Sequence, residues 1–183
     1  MREYRVSIHF VVNLPSGVDI NNLIDDLRIF SWEASDILLY YSDIIKNSDN
    51  KNKFISNANY KDPVTLADLR VNDLIIRRMK DKYKYIKWEI LSEENVKDGL
   101  CNFGSQSDWL WVLDPLDGTK DFIQGTEDFA MHFALNYKGI PKMGIVLIPS
   151  KDELWLSNGS ITWCEGRNGS IKKPKLSKYK SLN

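Results

Sequence analysis

Three short stretches carry carboxylates at spacings that chemistry can use: Asp62-Pro-Val-Thr-Leu-Ala-Asp68, Ser92-Glu93-Glu94 and Asp114-Pro-Leu-Asp-Gly-Thr119. The third is the richest. Asp-Gly is a strong turn signal and Asp-Pro opens turns, so a plain chain reversal accounts for part of it. Pro115 fixes its φ and is expected to take the chain out of the preceding apolar strand. Gly118 permits a backbone angle that other residues resist. Asp114 and Asp117 can then converge on one point with the Leu116 carbonyl between them, an oxygen set suited to a hard cation such as Mg²⁺. A helix starting at Thr119 or Lys120 would turn the Gly118 and Thr119 amides outward, where they suit a phosphate. Two carboxylates about 4 Å apart repel by roughly 4 kcal/mol at an effective dielectric near 20. Collecting several of them makes sense chiefly when cations neutralise the charge.

The other two stretches have plain structural explanations. Thr65 and Asp68 fit a capping box at the start of a helix. Glu93 and Glu94 fit a solvated loop at a strand end, although functional residues also concentrate on such loops.

The elements that must position these groups are legible from periodicity. Ile20, Leu23, Ile24, Leu27, Ala34, Ile37, Leu38 and Tyr41 recur at helical spacing behind Asp19, a candidate N-cap. Residues 47–61 are rich in Asn and Lys and read as a surface loop. A second helix begins near Thr65 and puts Ala67, Val71, Leu74, Ile75 and Met79 on one face. Ile86 to Leu91 and Trp109 to Leu113 read as strands. Strands at Phe129 to Tyr137, Lys142 to Ile148 and Glu153 to Leu156 follow, separated by turns at Lys138-Gly139 and Pro149-Ser150. His132 falls inside this strand pattern and reads as structural. Two helices packed on a mostly antiparallel sheet make an α+β layered domain.

With 183 residues, 43% hydrophobic and 27% charged, the chain has ordinary globular composition and room for one domain with a real core. Lys plus Arg equals Asp plus Glu at 25 each, which removes any overall electrostatic case for nucleic acid or an anionic membrane. The N-terminus makes a poor signal peptide, and Cys101 and Cys164 lack metal-ligand spacing, so a reducing cytoplasm is expected. Asn158-Gly-Ser160 and Asn168-Gly-Ser170 then read as turns. The basic run Ile171 to Asn183 reads as a loop or tail.

Haloacid dehalogenase phosphatases also place Asp and Gly-Thr after a strand, but with Asp-x-Asp spacing. The Asp-x-x-Asp spacing here disfavours an aspartyl-phosphate mechanism of that type. Taken together and in order, DPVTLAD, LSEE and WVLDPLDGTKDF resemble the inositol monophosphatase superfamily of Mg²⁺-dependent, lithium-sensitive phosphatases, from about Leu14 to Cys164. DPLDGTKDF looks like the 3'(2'),5'-bisphosphate nucleotidase branch, because inositol-phosphate enzymes more often carry Thr-Asn where this chain has Lys120-Asp121. The resemblance implies the N-terminal half of a layered αβαβα sugar-phosphatase fold. It implies that Glu93, Asp114, Asp117 and the Leu116 carbonyl bind two or more Mg²⁺ ions. Asp68 and Thr119 would activate the attacking water, the Gly118 and Thr119 amides would hold phosphate, and Glu94 would stand behind the ligands. The implied reaction is in-line hydrolysis of 3'-phosphoadenosine 5'-phosphate to AMP and phosphate, with an inositol phosphate as the alternative substrate.

The sequence also departs from the family pattern. A further metal-binding Asp is expected in a Trp-Asp context, but the last Asp here is Asp152, in a Lys-Asp-Glu turn. The resulting organisation is an N-terminal extension over 1–13, a phosphatase domain over 14–164, and a basic segment over 165–183 that starts a missing C-terminal domain. A fragment, a gene cut short, and a domain completed by another chain all account for this. The chain alone is then expected to have one incomplete metal site and low activity, and to self-associate or bind a complementing C-terminal chain. A non-catalytic protein that binds metal, phosphate or a partner is the rival reading.

Overall fold

The computed structural model describes residues 14–49, 55–57, 64–97 and 107–174. Helix α1 (Ile20–Lys46) begins where Asp19 accepts hydrogen bonds from the N–H groups of Asn21 and Asn22, satisfying donors the first turn leaves open. Its buried face is the expected stripe, including Leu23, Leu27, Ala34 and Leu38. Strand β1 (Ile55–Asn57) pairs with β2 (Val64–Thr65), so the segment read as a loop contains a short antiparallel strand. Helix α2 (Leu66–Lys82) follows directly, and its buried face is also the expected one.

The main sheet has seven strands in the order of the chain: β3 (Glu89–Ser92), β4 (Trp109–Asp117), β5 (Ala130–Tyr137), β6 (Ile140–Ile148), β7 (Glu153–Ser157), β8 (Thr162–Glu165) and β9 (Ile171–Lys172). Only the β3–β4 pair is parallel among them. Two short helices, α3 (Glu93–Lys97) and α4 (Thr119–Gln124), lie at strand ends. Helices with a mostly antiparallel sheet are the α+β arrangement that the periodicity predicts. The last two strands are additional to that expectation, and β9 lies inside the stretch read as a tail. Both are short, and turns close each of them.

The core lies between α1, α2 and one face of the sheet. Trp111 is fully buried, stacked on Phe133 with ring centroids 4.4 Å apart and edge-on to Trp88 at 5.7 Å. Rings of this size contribute several kcal/mol of burial each, plus a smaller geometric term of about 1 kcal/mol. A polar clamp ties α1 to β8: Glu165, only 7% exposed, accepts from Arg28 Nη2 at 2.8 Å and from Trp163 Nε1 at 2.5 Å. Among the described residues no helix is long and apolar enough to cross a membrane.

Candidate active site

The parallel pairing of β3 and β4 does much of the positioning. Their register sets Ser92 opposite Leu113, so Glu93 and Asp114, the next residue on each strand, emerge side by side at the same end. Carboxyl ends of neighbouring parallel strands are a recurrent place for ligands in α/β sheets. Glu93 is not in a solvated loop but is the first residue of α3, half-buried, while Glu94 beside it is 3% exposed. Ser92 donates to Asn72 Oδ1 on α2, and Asn72 Nδ2 donates to Asn95 Oδ1 at 3.4 Å. This chain of polar contacts fixes α3 from both sides of Glu93.

β4 does not end at Leu113. It runs through Pro115 to Asp117, and its register with β5 shifts between Asp114 and Asp117. The expectation that Pro115 takes the chain out of the strand is therefore corrected. Proline cannot donate to a ladder, but a bulge needs no donor there, so the strand bends instead of stopping. The bulge buries Leu116 and leaves Asp114 half-buried and Asp117 exposed. Asp114 Oδ1 accepts the Leu116 N–H at 3.1 Å, which holds the bend.

Gly118 then caps α4 in the left-handed region at φ 83°. A side chain there would meet the Asp128 carbonyl oxygen at 2.5 Å, so both the angle and the close backbone approach require glycine. Thr119 opens α4. Its hydroxyl donates to the Leu116 carbonyl at 2.9 Å and lies 3.5 Å from Asp68 Oδ1. Asp68, 1% exposed, uses its other oxygen for the capping box: Oδ2 accepts from the Thr65 N–H at 2.8 Å and from the Thr65 hydroxyl at 2.5 Å. The capping box thus uses one oxygen of Asp68 and leaves the other facing Thr119. Asp62 and Pro63 lie outside the described residues.

The electrostatics single out Asp114. Burial pushes its carboxyl from 3.8 up to about 7, with charge repulsion from Glu93 and a hydrogen bond shared with it acting in the same direction. The Leu116 N–H opposes this, and Asp117 adds a smaller push. Two carboxylates in such contact are the donor chemistry that a hard cation neutralises, so the residues fit Mg²⁺ in kind. Among the described residues, however, no three His, Cys, Asp or Glu side chains are grouped closely enough to hold one metal ion. Asp117 Oδ2 lies 3.7 Å from His132 Nε2.

His132 lies in β5, as the strand pattern predicts; it is the register partner of Asp114, and its exposed side chain stands beside the carboxylates. Met131 and Phe133 are buried on either side of it. That strand alternation was the available signal.

The profile of the inositol monophosphatase family matches residues 28–183. An inositol monophosphatase of Dictyostelium discoideum is 35% identical over 129 residues, covering 70% of this chain and 46% of that protein. A 3'(2'),5'-bisphosphate nucleotidase CysQ of Buchnera aphidicola is 33% identical over 129 residues, covering 68% and 46%. This chain thus spans about half the length of the curated relatives it matches. The solved Thermotoga maritima IMPase superposes with a TM-score of 0.67 at 22% identity, over 89% of this chain and 56% of that one, a likeness of fold. On the family match over most of its length, the chain belongs to the inositol monophosphatase family.

Proposed function

We propose that this chain is a Mg²⁺-dependent phosphomonoesterase whose substrate is 3'-phosphoadenosine 5'-phosphate, hydrolysed to AMP and phosphate. The observation that supports this most is the meeting, around one bulge of β4, of the Glu93–Asp114 pair with the Asp68–Thr119–Leu116 cluster. Glu93, Asp114, Asp117 and the Leu116 carbonyl would hold Mg²⁺. The cation would supply Lewis acidity toward the phosphoryl oxygens and lower the pKa of water. Thr119 Oγ1, between Asp68 and the Leu116 carbonyl, takes a proton from the attacking water and passes its own to Asp68. Water oxygen would bond to phosphorus as the ester P–O bond breaks, the leaving oxygen would take a proton from solvent water, and Asp68 would return its proton to solvent. No covalent enzyme intermediate is needed. The N–H groups of Gly118 and Thr119 suit the phosphate, since the first bond within α4 is Phe122 N–H to the Gly118 carbonyl.

Lys120-Asp121 in the motif and the similarity to the Buchnera nucleotidase favour the nucleotide. The Dictyostelium relative favours an inositol phosphate instead. Comparing Mg²⁺-dependent phosphate release from the two substrates separates the readings, and equal or greater release from inositol monophosphate would overturn the nucleotide assignment.

A further inference from the structure

The outer face of the helical layer, away from the sheet, carries charges that the chain itself does not neutralise. Arg70, Asp73, Arg77 and Asp81 are exposed on α2, and among the described residues none of the four makes an ion pair. They border a groove between α1 and α2 that Ile37, Tyr40, Tyr41, Leu74 and Ile76 also line. Along the helix their signs run plus, minus, plus, minus, an order that complements itself on reversal. Asp73 and Arg77 flank Ile75 evenly, and Arg70 and Asp81 are centred between Ile75 and Ile76. A two-fold axis at that point lays a second α2 antiparallel on the first. It sets Asp73 against Arg77 and Arg70 against Asp81, each pair occurring twice. Arg70 and Asp81 are separated by about three helical turns and so share one side of α2, whereas Lys80 is turned about 80° away from Arg70.

Helix α1 carries an apolar pair with the same centre. Ile29 and Tyr40 are 54% and 63% exposed, on one outward stripe of α1, and the point midway between them falls at Ala34 and Ser35. The two helices run antiparallel, since Glu33 accepts from Arg78 Nε at 2.9 Å and Asp26 meets Lys82 at 3.1 Å. The Glu33–Arg78 contact lies within a turn of both centres, so one axis serves both helices and sets Ile29 against Tyr40 of the second copy. Asp36, close to the axis, is already neutralised by Arg167 of its own chain at 2.7 Å.

We propose that the chain pairs with a second copy of itself through the outer face of α1 and α2, in a two-fold dimer held by reciprocal Asp73–Arg77 and Arg70–Asp81 contacts. This surface is independent of the phosphatase reading. Sedimentation of the full chain across a dilution series is expected to show a dimer that dissociates. Asp73→Arg and Arg77→Asp each place two like-charge pairs across the axis and should weaken association by about tenfold or more. Both side chains are exposed, so circular dichroism should be unchanged. An equimolar mixture of the two variants should dimerise again, because one presents only cations where the other presents only carboxylates. If a single variant loses its fold, the chain carrying both substitutions decides, since it restores both central pairs with the signs exchanged. A wild type that stays monomeric, folded single variants that associate as the wild type does, or a mixture or doubly substituted chain that fails to pair overturns the proposal.

Discussion

Replacing Asp114 with Asn probes the charge balance on which the site depends. The folded protein holds this carboxyl at about 7 instead of 3.8, so the native state keeps a proton that the unfolded chain has released. The stability this proton confers is complete below pH 4 and is lost as pH rises through 7. At about 1.4 kcal/mol per tenfold, the full difference corresponds to roughly 4 kcal/mol. The group is half-exposed and therefore screened, which reduces the expected effect to about 2 kcal/mol. Asparagine removes the charge while its Oδ1 can still accept the Leu116 N–H. Without metal at pH 8, Asp114→Asn should then be more stable than wild type by about 2 kcal/mol in urea denaturation, and the difference should vanish near pH 4. With saturating Mg²⁺ the order reverses, because only the wild type gains the full binding free energy. A variant less stable than wild type at pH 8 without metal, or one stabilised by Mg²⁺ as strongly as wild type, would refute the reasoning.

Other consequences follow from the same geometry. Ionised Asp114 is needed to ligate, so apparent Mg²⁺ affinity should fall as pH drops through about 7, measured by calorimetry; an affinity independent of pH from 6 to 8 would contradict this. Gly118→Ala places Cβ 2.5 Å from the Asp128 carbonyl oxygen at φ 83°, and should cost about 2–3 kcal/mol in chemical denaturation. A cost below 0.5 kcal/mol would show that this backbone yields. Arg28→Ala leaves Glu165 with the Trp163 N–H but without its cation, and should destabilise by about 2–3 kcal/mol. Pairing it with Glu165→Gln in a double-mutant cycle should recover much of that cost; full additivity would argue against the clamp.

The parts that were legible in the sequence are those governed by local rules. Asp19 as a cap, the apolar stripes of the two long helices, and Thr65 with Asp68 as a capping box all follow from contacts within a few residues. The β4 motif was legible as a place where carboxylates collect, but not as a bulge. Proline reads locally as a strand stop, and only pairing with β5 shows the strand continuing. The approach of Glu93 to Asp114 depends on the parallel register of β3 and β4, a long-range fact that no local pattern carries. The placement of His132 is an intermediate case. Alternation puts its side chain opposite Met131 and Phe133, but its approach to Asp117 exists only because the bulge shifts the facing strand. The short strands β8 and β9 lack the length over which period-two alternation becomes readable.

The most direct test of the central claim is phosphate release from 3'-phosphoadenosine 5'-phosphate, measured with Mg²⁺, with EDTA, and with Asp68→Asn. The account predicts release that requires Mg²⁺, exceeds that from inositol monophosphate, and falls at least a hundredfold in the variant, the scale on which a positioned proton acceptor contributes. Release that persists in EDTA, or is unchanged in Asp68→Asn, would contradict it.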